Sequence, residues 1–187
     1  MNTDTIHYLT QDELTRLFGV IESKRDQAIV RVAYTYGLRA SEIGLLERDD
    51  VDFERLKIRI RRLKGSISSE YPLTKEAQRE LKRYLRSRSD TSPILFPSNQ
   101  GLPIHRKTLY AMMGKYGERA GLPKEKRKFH ALKHSIAVHL LDAEMDVMFV
   151  KDWLGHKNIQ NTLVYAQLTN RTRDELARRA FASAKVV

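Results

Sequence analysis

The chain contains no cysteine, so its chemistry must come from amines, imidazoles, carboxylates and hydroxyls. Arg39 follows a helix-like run that stops at Gly37, His130 and Lys133 share the segment His130-Ala131-Leu132-Lys133-His134, and Tyr165 follows the segment Leu154-Gly155-His156. A guanidinium, an ammonium, imidazoles and a phenol suit attack on a phosphodiester. In-line displacement moves negative charge onto the non-bridging oxygens, and a site without metal must meet that charge with fixed cations. An arginine fork can grip two such oxygens at once. Histidines add donors whose charge responds near neutral pH. A tyrosine hydroxyl can take the phosphate as an ester that conserves the bond energy for religation. Single residues carry less weight: a tyrosine at a helical position is more often core than nucleophile. His130, His134 and His139 could be read as a metal cluster, but no carboxylate or cysteine completes a ligand set, so neither metal nor cofactor is expected.

Net charge points to the partner. There are 34 Lys and Arg against 23 Asp and Glu, a formal charge of +11, and nucleic acid is the foremost polyanion for such a field. The basic residues cluster. Arg55, Lys57, Arg59, Arg61, Arg62 and Lys64 form one dense segment, and Lys124, Lys126, Arg127, Lys128, His130 and Lys133 another. At 41% hydrophobic and 30% charged residues the composition is that of a soluble globule, and no apolar run approaches the roughly 20 residues of a membrane span. The polar start from Met1 to Thr5 lacks the order of a secretory signal, so a cytoplasmic, nucleoid-associated protein is expected.

The elements that must position these residues are mostly helical. Thr10 with Glu13 forms a capping box and Leu9 with Leu14 a hydrophobic staple, which predicts a helix burying Leu14, Leu17, Phe18 and Ile21. A second helix, with Ile29, Val32, Ala33 and Tyr36 on one face, ends at Gly37, where glycine suits a left-handed residue. Between Leu56 and Leu63 the period changes to two: Leu56, Ile58 and Ile60 face inward, and Lys57, Arg59 and Arg61 make an exposed face that is wholly cationic. Lys64-Gly65-Ser66 would turn this strand into a short returning one at Glu70 to Leu73, with Pro72 on a sheet edge. Thr74 caps a helix that buries Ala77, Leu81, Tyr84 and Leu85, and Ser89 to Pro103 reads as a loop with an apolar insert at Ile94 to Phe96. Helices follow near 105–120, 130–143, 146–154 and 158–168. A last one starts at Thr172, whose Leu176, Ala180, Phe181 and Ala184 would make a face for docking on its own domain or on a neighbouring protomer. Trp153, in a stripe with Val147, Val150 and Leu154, reads as core.

The successive motifs Tyr36-Gly37-Leu38-Arg39-Ala40-Ser41-Glu42-Ile43, His130-Ala131-Leu132-Lys133-His134 and Leu154-Gly155-His156, ending in Tyr165, resemble those of the tyrosine recombinases and integrases in both order and spacing. The likeness runs from about Thr10 to the C-terminus. The resemblance implies an α+β, mostly α, catalytic domain with a small antiparallel sheet. It implies cleavage and rejoining of double-stranded DNA through a 3′-phosphotyrosyl intermediate on Tyr165. Arg39, Lys64, His130, Lys133 and His156 would be the catalytic partners, Lys64 protonating the departing 5′ oxygen from a hairpin, and Glu42 would orient a catalytic group. Arg59, Arg61, Arg62, Arg106, Lys107 and Lys128 would contact DNA, with Arg106 and Lys107 foremost for base reading. His134 and His139 read as structural. Four protomers would assemble on two DNA sites, and the protein could be monomeric when free.

Two departures matter. Lys133 stands where the family usually has a second arginine, which keeps the charge and loses the bidentate fork. The N-terminal clamp domain of most relatives would be absent, leaving residues 1–187 as one domain. That fits a minimal recombinase similar to the fimbrial phase-switch invertases, which the hairpin Arg61-Arg62-Leu63-Lys64-Gly65-Ser66 and Tyr71-Pro72-Leu73 also resembles, or a fragment of a longer integrase. A DNA-binding relative with weakened or lost catalysis, and a monomeric relaxing enzyme like the type IB topoisomerases, stay open.

Overall fold

The computed structural model describes residues 6–63, 67–169 and 181. The first helix, α1 (Gln11–Gly19), starts as its capping box requires: the Thr10 hydroxyl accepts from the Glu13 N–H, and the Glu13 carboxylate accepts from the Thr10 N–H. Leu9, Leu14, Leu17 and Ile21 are buried, with Phe18 half-buried. Helix α2 (Lys24–Thr35) buries Ile29, Val32 and Ala33, and a short α3 (Ala40–Ile43) follows it.

The sheet has three antiparallel strands in the order β1-β2-β3, comprising β1 (Val51–Asp52), β2 (Lys57–Ile60) and β3 (Ser69–Pro72), with Ile58 opposite Tyr71. Pro72 falls on the edge strand, where its missing donor costs no ladder bond. Leu56 departs from the alternating pattern. It sits in the turn before β2 with φ at 53° and is 48% exposed, because the tight β1-β2 connection needs a left-handed residue there. The two-residue β1 carries too few residues for any period to be legible.

Helix α4 (Lys75–Leu85) is capped by the Thr74 hydroxyl and buries Ala77, Leu81 and Tyr84 against α2. The loop after it contributes Leu95 and Phe96 to the core, tied back by Leu95 N–H to the Leu46 carbonyl. Helices α5 (Arg106–Arg119), α6 (His130–Asp142), α7 (Val147–Trp153) and α8 (Gln160–Ala166) complete the described residues. The helix expected from Thr172 lies outside them, apart from Phe181, which is exposed.

Two apolar clusters result. The larger joins α1, α2, α4, α5 and the sheet; the smaller joins Ile136, Ala137, Val138 and Leu141 of α6 to Val150, Leu154 and Tyr165. Gly37 lies at their seam. Its φ is +58°, and a Cβ there would stand 2.5 Å from Leu154 Cδ2. Gly37→Ala combines left-handed strain with a clash on a buried methyl, and we expect it to lower unfolding free energy by about 1–3 kcal/mol; denaturant titration of both proteins measures it.

Candidate active site

The left-handed turn at Gly37 ends α2 and delivers Arg39 to the N-terminus of α3. Glu42, one turn on and with no exposed surface, anchors it. One carboxylate oxygen accepts from the Arg39 N–H at 2.8 Å, and the other accepts from Arg39 Nη1 at 2.9 Å and from the Leu63 N–H at 3.2 Å. Burial alone would push the Glu42 carboxyl up, but the backbone donors of Arg39 and Leu63 and the charges of Arg62 and Lys133 outweigh it and hold it below the usual carboxylate range. Glu42 is therefore a buried anion whose partners orient the Arg39 side chain, which keeps 30% of its surface open.

Arg62 overturns an expectation. The sequence reading puts it among the DNA contacts, yet its side chain is fully buried. It donates to the carbonyls of Gly37, Tyr36 and Trp153 and pairs with Glu42 at 3.5 Å. The physical reason is that the alternation runs on past the end of β2: Arg62 has the inward parity of Ile58 and Ile60, and its guanidinium meets the free carbonyls left at the C-terminus of α2. The cationic face of β2 is likewise neutralised in part. Arg59 pairs with Asp50 at 3.0 Å, and Arg61 pairs with Glu47 at 2.7 Å and Asp50 at 3.1 Å. Both keep substantial exposure. Arg106, Lys107 and Lys128 are exposed, Arg106 and Lys107 in the first turn of α5. Lys64 lies outside the described residues.

Helix α6 supplies the next groups. Lys133 is 1% exposed, and its Nζ donates to the Leu154 carbonyl at 3.0 Å. Burial, with Arg62 and Arg39 nearby and only Glu42 opposing, brings its ammonium down to about 7. The point charge expected on a phosphate is thus turned inward, against the turn that precedes His156. His156 is buried, with Nδ1 2.9 Å from the Thr162 hydroxyl; burial and the charges of Lys133, Arg39 and Arg62 lower it to about 3. His130 is open to solvent on its outer side and packed on its inner side; burial, Lys133 and Arg39 lower it toward about 4, a direction that leaves it neutral at pH 7. A cleft of about 340 Å³ lined by Tyr110, Arg127, Lys128, Phe129 and His130 opens beside it.

Tyr165 is 3% exposed and belongs to the smaller core cluster, with its ring in α8. Its hydroxyl lies 2.9 Å from His134 Nδ1. Burial raises the phenol to about 12, while the charge of Arg39 pulls the other way, which sets Tyr165 in the same electrostatic neighbourhood as the cations. The structure thus gathers Arg39, Glu42, His130, Lys133, His156 and Tyr165 into one region. The residue missed by sequence reasoning is His134. Its place one turn after His130 on α6 was the available signal, since residues i and i+4 share a face; the two rings meet edge to face at 4.4 Å. His139 is structural as expected, 2.9 Å from the Tyr34 hydroxyl, and Trp153 packs between Tyr36, Tyr71 and Phe149.

A mostly helical domain with this cluster defines one class of protein, and the comparisons agree. Residues 7–171 match the model of the Phage integrase family, to which this chain belongs. The tyrosine recombinase XerA of Pyrococcus horikoshii is 34% identical over 175 residues, covering 92% of this chain and 60% of XerA. The type 1 fimbriae regulatory protein FimE of Escherichia coli K12 is 29% identical over 167 residues, 84% of each chain. A crystal structure of XerA recombinase superposes with a TM-score of 0.76 at 27% identity, covering 96% of this chain and 64% of that one. The Tn1549 transposon integrase in complex with circular intermediate DNA reaches 0.80 at 21% identity, over 95% and 67%, a likeness of fold. The chain therefore spans about 60% of the length of the XerA relative.

Two inward-facing imidazoles, His156 buried and His134 half-buried, fix the acid response. For His134 and His156 the folded-state pKa is about 3 against an ordinary 6.5. Above pH 6.5 both states are neutral and the stability is whole. As pH falls below 6.5 the unfolded chain binds protons that the folded one does not, so stability declines progressively toward pH 3. Urea midpoints measured from pH 7.5 to 4 should fall steadily, and the fall should be shallower in His134→Gln.

Proposed function

We propose that this chain is a site-specific DNA recombinase domain that cleaves and rejoins duplex DNA through a 3′-phosphotyrosyl bond on Tyr165. The observation that carries this reading is the gathering of His130, His156 and Tyr165, from separate segments, within electrostatic reach of Arg39, which the buried Glu42 carboxylate anchors. Arg39, partly open to solvent, grips the non-bridging oxygens. His130 and His156 donate to them, and Lys133 holds the turn at Leu154 that carries His156. Lys64 protonates the leaving 5′ oxygen. Four protomers on two sites then exchange strands in pairs, inside the cytoplasm at the nucleoid. No described helix is long and apolar enough to cross a membrane.

A second reading has its own support. The buried phenol and the inward Lys133 fit a relative that binds DNA without cutting it. The two separate on nicked suicide duplexes carrying the sequence that the protein selects from a randomised pool. The recombinase accumulates a denaturant-resistant protein–DNA adduct, and Tyr165→Phe binds the same DNA but forms none. Absence of adduct in the wild type on that selected sequence leaves the binding protein.

Salt dependence identifies the DNA face. Replacing Arg106 and Lys107 together by alanine should flatten the log–log slope of affinity against salt by about one to two units, if each meets a phosphate. Arg62→Ala should lower the denaturation midpoint instead, since it leaves Glu42 and three carbonyls without that partner. Binding titrations from 50 to 300 mM salt, on duplex of about 30 base pairs, distinguish the two.

A further inference from the structure

The phenol proton must leave Tyr165 when its oxygen attacks, and none of the residues assigned above receives it. His134 stands at the reacting atom: its Nδ1 is 2.9 Å from the Tyr165 hydroxyl, with the rings 5.6 Å apart. Its ring also meets that of His130 edge to face, so it lies between the nucleophile and a histidine placed on the phosphate. We propose that His134 is a catalytic residue, the base that accepts the Tyr165 proton during cleavage and returns it during religation. The inference rests on the recombinase reading and deepens it.

The step balances. As Tyr165 Oη forms its bond to phosphorus, its proton passes to His134 Nδ1, and the bond from phosphorus to the 5′ oxygen breaks. The departing oxygen keeps the electron pair and takes a proton from the acid assigned to Lys64. Religation runs the same transfers backward. The acceptor must be neutral and protonated on Nε2, and its surroundings favour the neutral ring. It is half-buried, and the titratable or charged groups that face the pair are His7, His130 and Lys133 about the imidazole and Arg39 about the phenol. Burial and those neighbours hold His134 near about 3, so it stays a proton acceptor throughout the neutral range. A phenol near about 12 has little phenolate at pH 7 and needs such an acceptor.

The test is single-turnover adduct formation on the nicked suicide duplex used above, with wild type, His134→Gln and His134→Phe at saturating protein from pH 6 to 9. Glutamine can keep a hydrogen bond to the phenol but cannot take its proton; thermal melts and DNA binding check that both variants fold. The expected result is a wild-type rate insensitive to the phenol's ionisation across this range. Both variants should be slower by about 10²–10⁴-fold at pH 7, with a rate that climbs about tenfold per pH unit because the proton must then go to hydroxide. A merely structural role would lower the rate equally at every pH. The proposal is overturned if His134→Gln keeps the wild-type rate and profile, or if either variant is faster, which would make His134 a restraint on the phenol. A wild type that forms no adduct defeats the recombinase reading itself, an outcome distinct from both.

Discussion

Everything in the site leans on one buried negative charge. The Glu42 carboxylate, with no exposed surface, meets the side chain and N–H of Arg39, the N–H of Leu63 and the guanidinium of Arg62. A lone carboxylate in that position would protonate, and it stays ionised because donors from α3 and from the end of β2 converge on it. The arrangement works in both directions. The anion makes it possible to bury Arg62, and Arg62 in turn collects the carbonyls at the end of α2 and one from α7, so that the elements bearing Arg39 and His156 are fixed to the strand between them. Arg39 can then face solvent with its geometry already set, which is the condition for stabilising charge that appears only in a transition state.

The same electrostatic economy explains the neutral histidines. A region that already holds Arg39, Arg62 and Lys133 disfavours further positive charge, and burial adds to that. His130 and His156 are consequently donors through one nitrogen with the other free to be oriented, as the contact of His156 with Thr162 illustrates. Lys133 fits the pattern. An arginine fork spreads its donors across a plane that can span carbonyl and phosphate, whereas the compact ammonium here sits buried against the Leu154 carbonyl.

Much of this was legible in the sequence because it is local. The capping box at Thr10, the glycine stop at Gly37, the Thr74 cap and the apolar faces of the first helices depend on neighbours a few residues apart, and each formed as read. The set Arg39, His130, His156 and Tyr165 was legible through motif spacing. What escaped depends on contacts between distant segments. Arg62 shares the inward parity of Ile58 and Ile60, but its charge alone reads as a DNA contact because the carbonyls of Tyr36, Gly37 and Trp153 that receive it are distant in sequence; Leu56, inward by the same parity, is turned out by its left-handed backbone. The acidic partners of Arg59 and Arg61 come from the turn before β1, so a strand face that is cationic by count is half-neutralised in space. His134 was passed over because an i,i+4 pair of histidines signals a shared face without saying what lies against it.

Leu63 and Ile67 are each anchored through their backbone N–H. Leu63 N–H is bound to Glu42, and Ile67 N–H is bound to the Gly155 carbonyl, where Gly155 itself has φ at +65° and any Cβ would stand 2.9 Å from the Ile67 oxygen. The hairpin's return limb and the turn before His156 therefore share a single close-fitting joint that tolerates no side chain. A displacement of the return limb is handed to the turn that precedes His156. A mechanical linkage thus runs from the hairpin's return limb through the Gly155 carbonyl to the residue beside it, His156.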